Sequence, residues 1–516
     1  MTRNGADALV EALVAAGVDT CFANPGTTEM HLLAALGRHP GMHTHLCVFE
    51  GVASGAADGY ARMTGKPAAT LLHLGPGFAN AMANLHNAKK ANSAVVNIVG
   101  EHATYHLELD APLTADIEGM AETVSDVVAT LESADEVSAA TNHALAEIAG
   151  PSARVATLVL PNDVAWSPTD VAGEPVAPAP ALEFDAQAVA RAARTLSEGG
   201  SGVALLLGAP FVTARMASLA DAIQKKTGCR LFAESAVSRM ERGGDTPPLP
   251  RVPFHVDPAT EALAEVWAAV LVGARAPVAF FAYPGRRSEL LPKGCETIAV
   301  SPLLADAEKA LEALAAALEA KPEPHRPTLV APADRSAVIT PETLAATVAH
   351  ALPEQAIVVD ESITNGGFLY AYCGDAGRHD WINNRGGSIG YSTPVAVGAA
   401  VACPDRRVLT ITGDGSALYT LQSLWSMARD QLDITVLILA NRSYKILANE
   451  MSKIGAGNPG EREAPLLSLD HPEPQWTQLA QGFGVSAERA TTVAELDAAL
   501  RGAFSSSGPR LIEVVM

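Results

Sequence analysis

The sequence predicts an α/β protein built from three doubly wound parallel-sheet domains. Three observations carry this reading. Short apolar runs of buried-strand type alternate with helix-length segments along the 516 residues, as in parallel sheets covered on both faces. Two Pro/Ala-rich stretches, SPTDVAGEPVAPAPALE (167–183) and AKPEPHRPTLVAPADRS (320–336), break the alternation as interdomain linkers. The length accommodates about three domains of usual size. The expected domains are residues 1–166, 184–320 and 337–516.

In the first domain, Leu9, Val10, Leu13 and Val14 mark one helix face and Gly17 a stop. Val18 to Ala23 reads as a strand, Asn24-Pro25-Gly26-Thr27-Thr28 as the turn after it, and a helix follows through Leu36. A second strand, about His43 to Phe49, runs into Glu50 and the small-residue helix GVASGAADGYARMTG. A third, about Ala68 to His73, runs into Leu74-Gly75-Pro76-Gly77 and another helix, and Ala94 to Val99 is the fourth. In the middle domain GVALLLGAP, CRLFAES, PVAFFAYPG and ETIAVSP are strand-like, with no phosphate-binding fingerprint. The last domain has AIVVDES, RVLTITGDGS and ITVLILANRS as buried strands, each ending in a polar cluster, and LIEVVM closes the chain.

Composition narrows the function class. Hydrophobic residues at 48% against 18% charged supply several cores and exclude a disordered chain. A net charge of −21 argues against nucleic acid or an anionic membrane as partner. The six cysteines (Cys21, Cys47, Cys229, Cys295, Cys373, Cys403) lie far apart without a C-x-x-C pair, so they read as reduced core residues. The N-terminus lacks signal-peptide order and no run is long enough to span a bilayer, so a soluble, cytoplasmic protein is expected.

Ligands in open parallel sheets bind beyond the carboxyl ends of the strands. Asp414 sits there, in Gly413-Asp414-Gly415-Ser416, and so does Asn441, in Asn441-Arg442-Ser443, at the tip of the next strand. A helix, ALYTLQSLWSMARD, is expected between them. Carboxylate, amide oxygen and backbone carbonyl suit a hard six-coordinate ion such as Mg²⁺, which keeps sites for phosphate oxygens. Gly413 and Gly415 allow close approach, and a helix N-terminus near Ser416 favours an anionic phosphate.

This unit resembles the thiamine-diphosphate motif of the superfamily that includes acetolactate synthase, benzoylformate decarboxylase and pyruvate oxidase. The resemblance spans nearly the whole chain and implies two thiamine-diphosphate-binding folds flanking a Rossmann-like middle domain. It implies that Asp414, Asn441 and the Ser443 carbonyl hold Mg²⁺ on the diphosphate, with Ala440-Asn441 where most members have Asn-Asn. FEGVASGAADGYARMTGKPA looks like the family segment with the catalytic glutamate, here Glu50. A carboxyl there is needed because hydrogen bonding to the cofactor's pyrimidine nitrogen promotes the imino tautomer that deprotonates the thiazolium. Gly386 to Pro394 resembles the segment whose apolar residue, here Ile389 before Gly390, supports the bent cofactor. Glu361-Ser362-Ile363-Thr364 matches a stretch whose hydroxyls and amides contact diphosphate, so Ser362 and Thr364 join the candidate cofactor residues.

On the substrate side, His73 aligns with a loop histidine of benzoylformate decarboxylase and could meet the substrate carboxylate or move protons. A structural histidine remains the alternative. Thr27 sits where that enzyme has a substrate-binding serine, and Leu447 matches a pocket leucine. Glu450 stands where it has an aromatic, which points to a polar or smaller substrate. His102 and His106 could line the same cleft; four apart, they also suggest a metal pair, but with no third ligand evident the surface-turn reading is preferred. The resemblance implies a thiamine-diphosphate- and Mg²⁺-dependent decarboxylase/carboligase for a small-molecule 2-oxo acid, acetolactate-synthase-like, working as a homodimer or homotetramer. A benzoylformate-type non-oxidative decarboxylase is the alternative. An FAD-dependent oxidase and a catalytically silent regulatory homologue are further ones.

Overall fold

The first sheet is wholly parallel: β1 (Thr20–Ala23), β2 (His43–Leu46), β3 (Ala68–Leu72), β4 (Val95–Glu101), β5 (Val127–Thr130) and β6 (Val155–Pro161), in the order β2-β1-β3-β4-β6-β5. The structure is a computed structural model describing residues 2–150, 154–208, 210–303 and 305–516. Met1 and residues 151–153 of the expected first domain, and Ala209 and Leu304 of the second, lie outside the described residues.

Next along the chain come β7 (Val203–Leu207), β8 (Phe211–Val212), β9 (Arg230–Ala233), β10 (Arg239–Arg242), β11 (Ala268–Val272) and β12 (Glu296–Ser301). Four of them form a parallel sheet, β12-β11-β7-β9. The expected strand in PVAFFAYPG is absent: that stretch is a loop with a single bridge, Val278 to Glu289, and Phe280 and Phe281 are about half exposed. Its place in the sheet is taken by β11, whose AAVLV run is wholly buried.

The third sheet adds β13 (Ala356–Glu361), β14 (His379–Asn383), β15 (Val408–Gly413), β16 (Ile434–Ala440), β17 (Ser486–Ala490) and β18 (Arg510–Val515). Its order is β17-β18-β16-β15-β13-β14-β10-β8, so two strands from the middle of the chain extend its edge. The β10–β14 pair is antiparallel, which departs from the purely parallel sheet expected. Both Pro/Ala-rich stretches, 167–183 and 320–336, run without helix or strand. All six cysteines are free, four of them buried.

Small residues bring the first and third sheets' helices into backbone contact. The helix Glu50–Thr64 lies against the helix Ser392–Ala402. A Cβ on Gly59 would overlap the Val395 carbonyl, and one on Gly398 the Ala56 carbonyl. The sequence GVASGAADGYA is therefore a packing face and carries almost no amphipathic stripe, because nearly every residue is buried.

Arg62, near the end of this helix, is the polar counterpart of that contact. It makes two bonds to Asp58 (2.7 and 2.6 Å) and donates to the carbonyls of Asn383 (2.7 Å) and Ser238 (3.2 Å). Both side chains of the pair are no more than 2% exposed. Removing one partner of a buried pair leaves a desolvated charge and costs about 3–5 kcal/mol. Asp58→Ala is therefore expected to lower the melting temperature by several degrees in a calorimetric scan.

Candidate active site

The first cluster forms where the strand order reverses. β1 lies between β2 and β3, and β4 follows, so the segments leaving these four strands converge at one sheet end. Glu50 begins the helix after β2 and is 6% exposed. One carboxylate oxygen accepts from Asn24 Nδ2 (2.9 Å), the other from Asn80 Nδ2 (3.0 Å). His73 leaves β3 and immediately precedes the helix Leu74–Ala91. Its Nδ1 lies 2.9 Å from Glu29 Oε2. Glu29 is 2% exposed and also receives the Gly26 amide N–H and the Thr28 hydroxyl. Thr27 is exposed, while its neighbour Thr28 turns inward toward Glu29 and His73.

His102, at the end of β4, lies near His73. Burial, with the charges of His106 and His73, holds its imidazole below the usual range. Its ring is 5.3 Å from that of His106. Among the described residues no group of three or more His, Cys, Asp or Glu could hold a metal ion, so the pair gains no third ligand of these types.

The second cluster lies at the ends of β13, β15 and β16, again where the order reverses. Asp414 follows β15 directly and is 2% exposed. Its carboxylate accepts the backbone N–H groups of Gly415 (2.9 Å) and Arg442 (2.6 Å), so the tips of β15 and β16 are tied together. Burial pushes the Asp414 carboxyl up, and these two donors oppose the shift. Asn441 Oδ1 accepts from the Ser443 backbone N–H at 2.9 Å. A Cβ on Gly413 would meet nothing within 4 Å, so the space beside this strand end is open.

The single long helix expected after the GDGS turn is divided. A first turn, Asp414–Ala417, starts two residues earlier than Ser416, and a separate helix spans Ser423–Arg429. Leu418 and Tyr419 are exposed at the break, and a Cβ on Gly390 would overlap the Tyr419 side chain. Gly390 has φ +81°, so the close approach and the left-handed backbone both call for glycine there.

Glu361, wholly enclosed, shapes this loop. It accepts Gly390 N–H (2.8 Å), Ser392 N–H (3.2 Å) and Ser392 Oγ–H (2.7 Å), while burial pushes its carboxyl up. Ile389 is thereby held half-buried at the loop. Ser362 is buried and spends its hydroxyl on Asp360 (2.6 Å), whereas Thr364 is half-buried.

Leu447 and Glu450 lie on the helix Lys445–Lys453, with Leu447 47% exposed. Glu450 is not a free charge. It accepts Tyr283 Oη–H (2.7 Å) and Lys453 Nζ–H (2.9 Å), and these partners hold its carboxyl below the usual range against the opposing effect of burial. The loop 277–285 delivers Tyr283. Among the described residues Glu50 and Asp414 share no donor: Asn24 and Asn80 serve Glu50, Gly415 and Arg442 serve Asp414.

Residues 3–128 match the thiamine pyrophosphate enzyme N-terminal TPP binding domain, and residues 367–514 match the C-terminal TPP binding domain. A Mycobacterium tuberculosis protein named for acetolactate synthase large subunit IlvX is 46% identical over 520 residues, covering 99% of both chains. The chain belongs to the thiamine pyrophosphate enzyme family. Benzoylformate decarboxylase of Pseudomonas aeruginosa is 28% identical, with 96% of each chain covered. Among solved structures, a thiamine diphosphate-dependent 4-hydroxybenzoylformate decarboxylase of Rhodococcus jostii RHA1 superimposes with a TM-score of 0.85 at 24% identity. It covers 100% of this chain and 99% of its own, and speaks to the fold alone.

The donor set fits the family's cofactor. Asp414 follows β15 and Asn441 and Ser443 follow the neighbouring β16, and carboxylate, amide and carbonyl oxygens are the donor types a hard divalent ion takes together with phosphate oxygens. At the other cluster Glu50 keeps a buried carboxylate facing Gly77, where a Cβ would stand 3.0 Å from Oε1.

Proposed function

We propose that this enzyme is a thiamine-diphosphate- and Mg²⁺-dependent decarboxylase/carboligase of a 2-oxo acid, with Glu50 and the Asp414–Asn441 pair as its two working ends. The carrying observation is that two reversed-order sheet ends each present a buried carboxylate, one held by side-chain amides and one by backbone N–H groups. The separate settings of these clusters support an assembly in which a site is completed between two copies of the chain, hence a homodimer or a pair of them.

Thiamine diphosphate, when bound, supplies a nucleophilic carbon and an electron sink for the pair left behind as CO₂ departs. The chain's residues do the rest. Glu50 shares a proton with the pyrimidine nitrogen, oriented by Asn24 and Asn80. Asp414, Asn441 and Ser443 would hold Mg²⁺, with Gly415 and Ser416 beside the diphosphate. Gly390 and Ile389, set by Glu361, shape the seat of the bent cofactor. Leu447 walls the substrate end. Glu450, already satisfied by Tyr283 and Lys453, contributes shape and dipole more than a bare charge.

A second reading, a benzoylformate-type decarboxylase that protonates its product, is favoured by His73, fixed at the cleft by Glu29. Incubation with pyruvate and with benzoylformate, quantifying CO₂ and carbonyl products, separates the two. Acetolactate is the expected product from pyruvate. An aldehyde alone sinks ligation, and absence of CO₂ from a panel of 2-oxo acids sinks the whole proposal.

A further inference from the structure

The pair of the buried Glu29 and the half-buried His73 is more elaborately built than a chance contact. Both Glu29 oxygens lie near His73 Nδ1, at 3.1 and 2.9 Å. The same carboxylate receives the Gly26 amide N–H at 2.7 Å and the Thr28 hydroxyl. Two glycines make room for it. A Cβ on Gly100 would overlap Glu29 Oε1, and a Cβ on Gly26 would overlap the imidazole at Nδ1. Segments following β1 and β3, together with β4, thus combine to seat one carboxylate against one ring nitrogen.

The chemistry of the pair follows from its donors. An ionised carboxylate only accepts hydrogen bonds. With a backbone N–H and a hydroxyl already donating to Glu29, the favourable third partner is a ring N–H, which places the His73 proton on Nδ1. Nε2 is left as the lone-pair nitrogen, and the side chain is 23% exposed. A carboxylate on the far nitrogen also raises electron density at the near one.

We propose that Glu29 is a positioning residue that holds His73 in the Nδ1–H tautomer, so that Nε2 takes up and returns one proton at the substrate. The role at the substrate rests on the 2-oxo acid reading above; the tautomer does not. Thr28, and not Thr27, completes the arrangement through its bond to Glu29.

The test combines kinetics with a chemical probe. In the holoenzyme, Glu29→Gln is expected to lower kcat about 10- to 100-fold, the range seen when the partner orienting an imidazole is lost, with little change in KM. Calorimetric cofactor affinity should stay unchanged. In a His73→Ala background the same substitution should cost almost nothing, because the two residues act as one unit. A merely structural Glu29 would cost as much in both backgrounds, and that result overturns the proposal.

Independently of turnover, carbethoxylation of His73 in the cofactor-free protein at pH 8, mapped by mass spectrometry, should slow severalfold in Glu29→Gln. An unchanged rate likewise overturns the proposal. Should Glu29→Gln not accumulate folded, Glu29→Asp, which draws the carboxylate back by one methylene, is measured in the same way with the same expected direction. If the wild-type enzyme consumes no 2-oxo acid, the functional reading fails and the role at the substrate fails with it. The carbethoxylation rate then decides the tautomer alone.

Discussion

Glu50→Gln is expected to reduce turnover by about 10²–10⁴-fold, the usual worth of a positioned acid–base group, while cofactor binding changes little. The replacement is nearly isosteric, and its surroundings can absorb it. Asn24 and Asn80 each donate one amide N–H to the carboxylate. A side-chain amide flip at either would present oxygen to the new Gln N–H, so the local fold survives. What is lost is the capacity to share a proton. The direct check is hydrogen–deuterium exchange at the thiazolium carbon, measured by NMR after rapid acid quench. It should slow in parallel with turnover. Equal exchange and turnover in variant and wild type would return the silent-homologue reading.

Asp414→Ala is expected to weaken Mg²⁺-dependent cofactor binding by about 100-fold or more, since even groups that only orient metal ligands are worth about 10–100-fold. The same change should lower the melting temperature of the cofactor-free protein only modestly, because the Gly415 and Arg442 N–H groups lose their acceptor while the burial cost of the carboxylate is relieved. Asp414 is buried, and burial alone raises its carboxyl despite two backbone donors. A carboxylate kept at a desolvation cost without ligand is one whose benefit comes with an ion. Calorimetric titration with cofactor and Mg²⁺, beside a thermal scan of the apo protein, reads both arms. Strong destabilisation with intact binding would make Asp414 a structural residue.

Much of the fold was readable in sequence because parallel strands buried on both faces are continuous apolar runs. VLTIT and ITVLILA are β15 and β16 with little adjustment. The failures have local causes. AAVLV follows a helix-like stretch, so its period does not announce β11. PVAFFAYPG has strand composition, yet Phe280 packs on Gly387 and the run is a loop. The helix after Asp414 is divided at the stretch where Tyr419 closes on Gly390, a contact about thirty residues apart in sequence and invisible to periodicity.

The candidate site divides in the same way. Asp414, Asn441, Glu50 and His73 could be named from sequence because each closes an apolar run with a polar side chain, and a strand end is the one place in such a sheet where that combination faces a ligand. Their partners could not. Glu29, Asn80 and Tyr283 are polar residues in a turn, a helix and a loop, with no periodic signature. The sequence by itself determined the α/β alternation, the apolar strands that lead into the candidate site, the polar residues at their tips and the family. Only the tertiary structure decided which carboxylates are hydrogen-bonded and by whom, placing Glu29 on His73 and Tyr283 on Glu450. The reason is physical: apolar periodicity is a short-range property of the chain, whereas a buried carboxylate's partners are chosen by whichever distant N–H or O–H group the packing delivers.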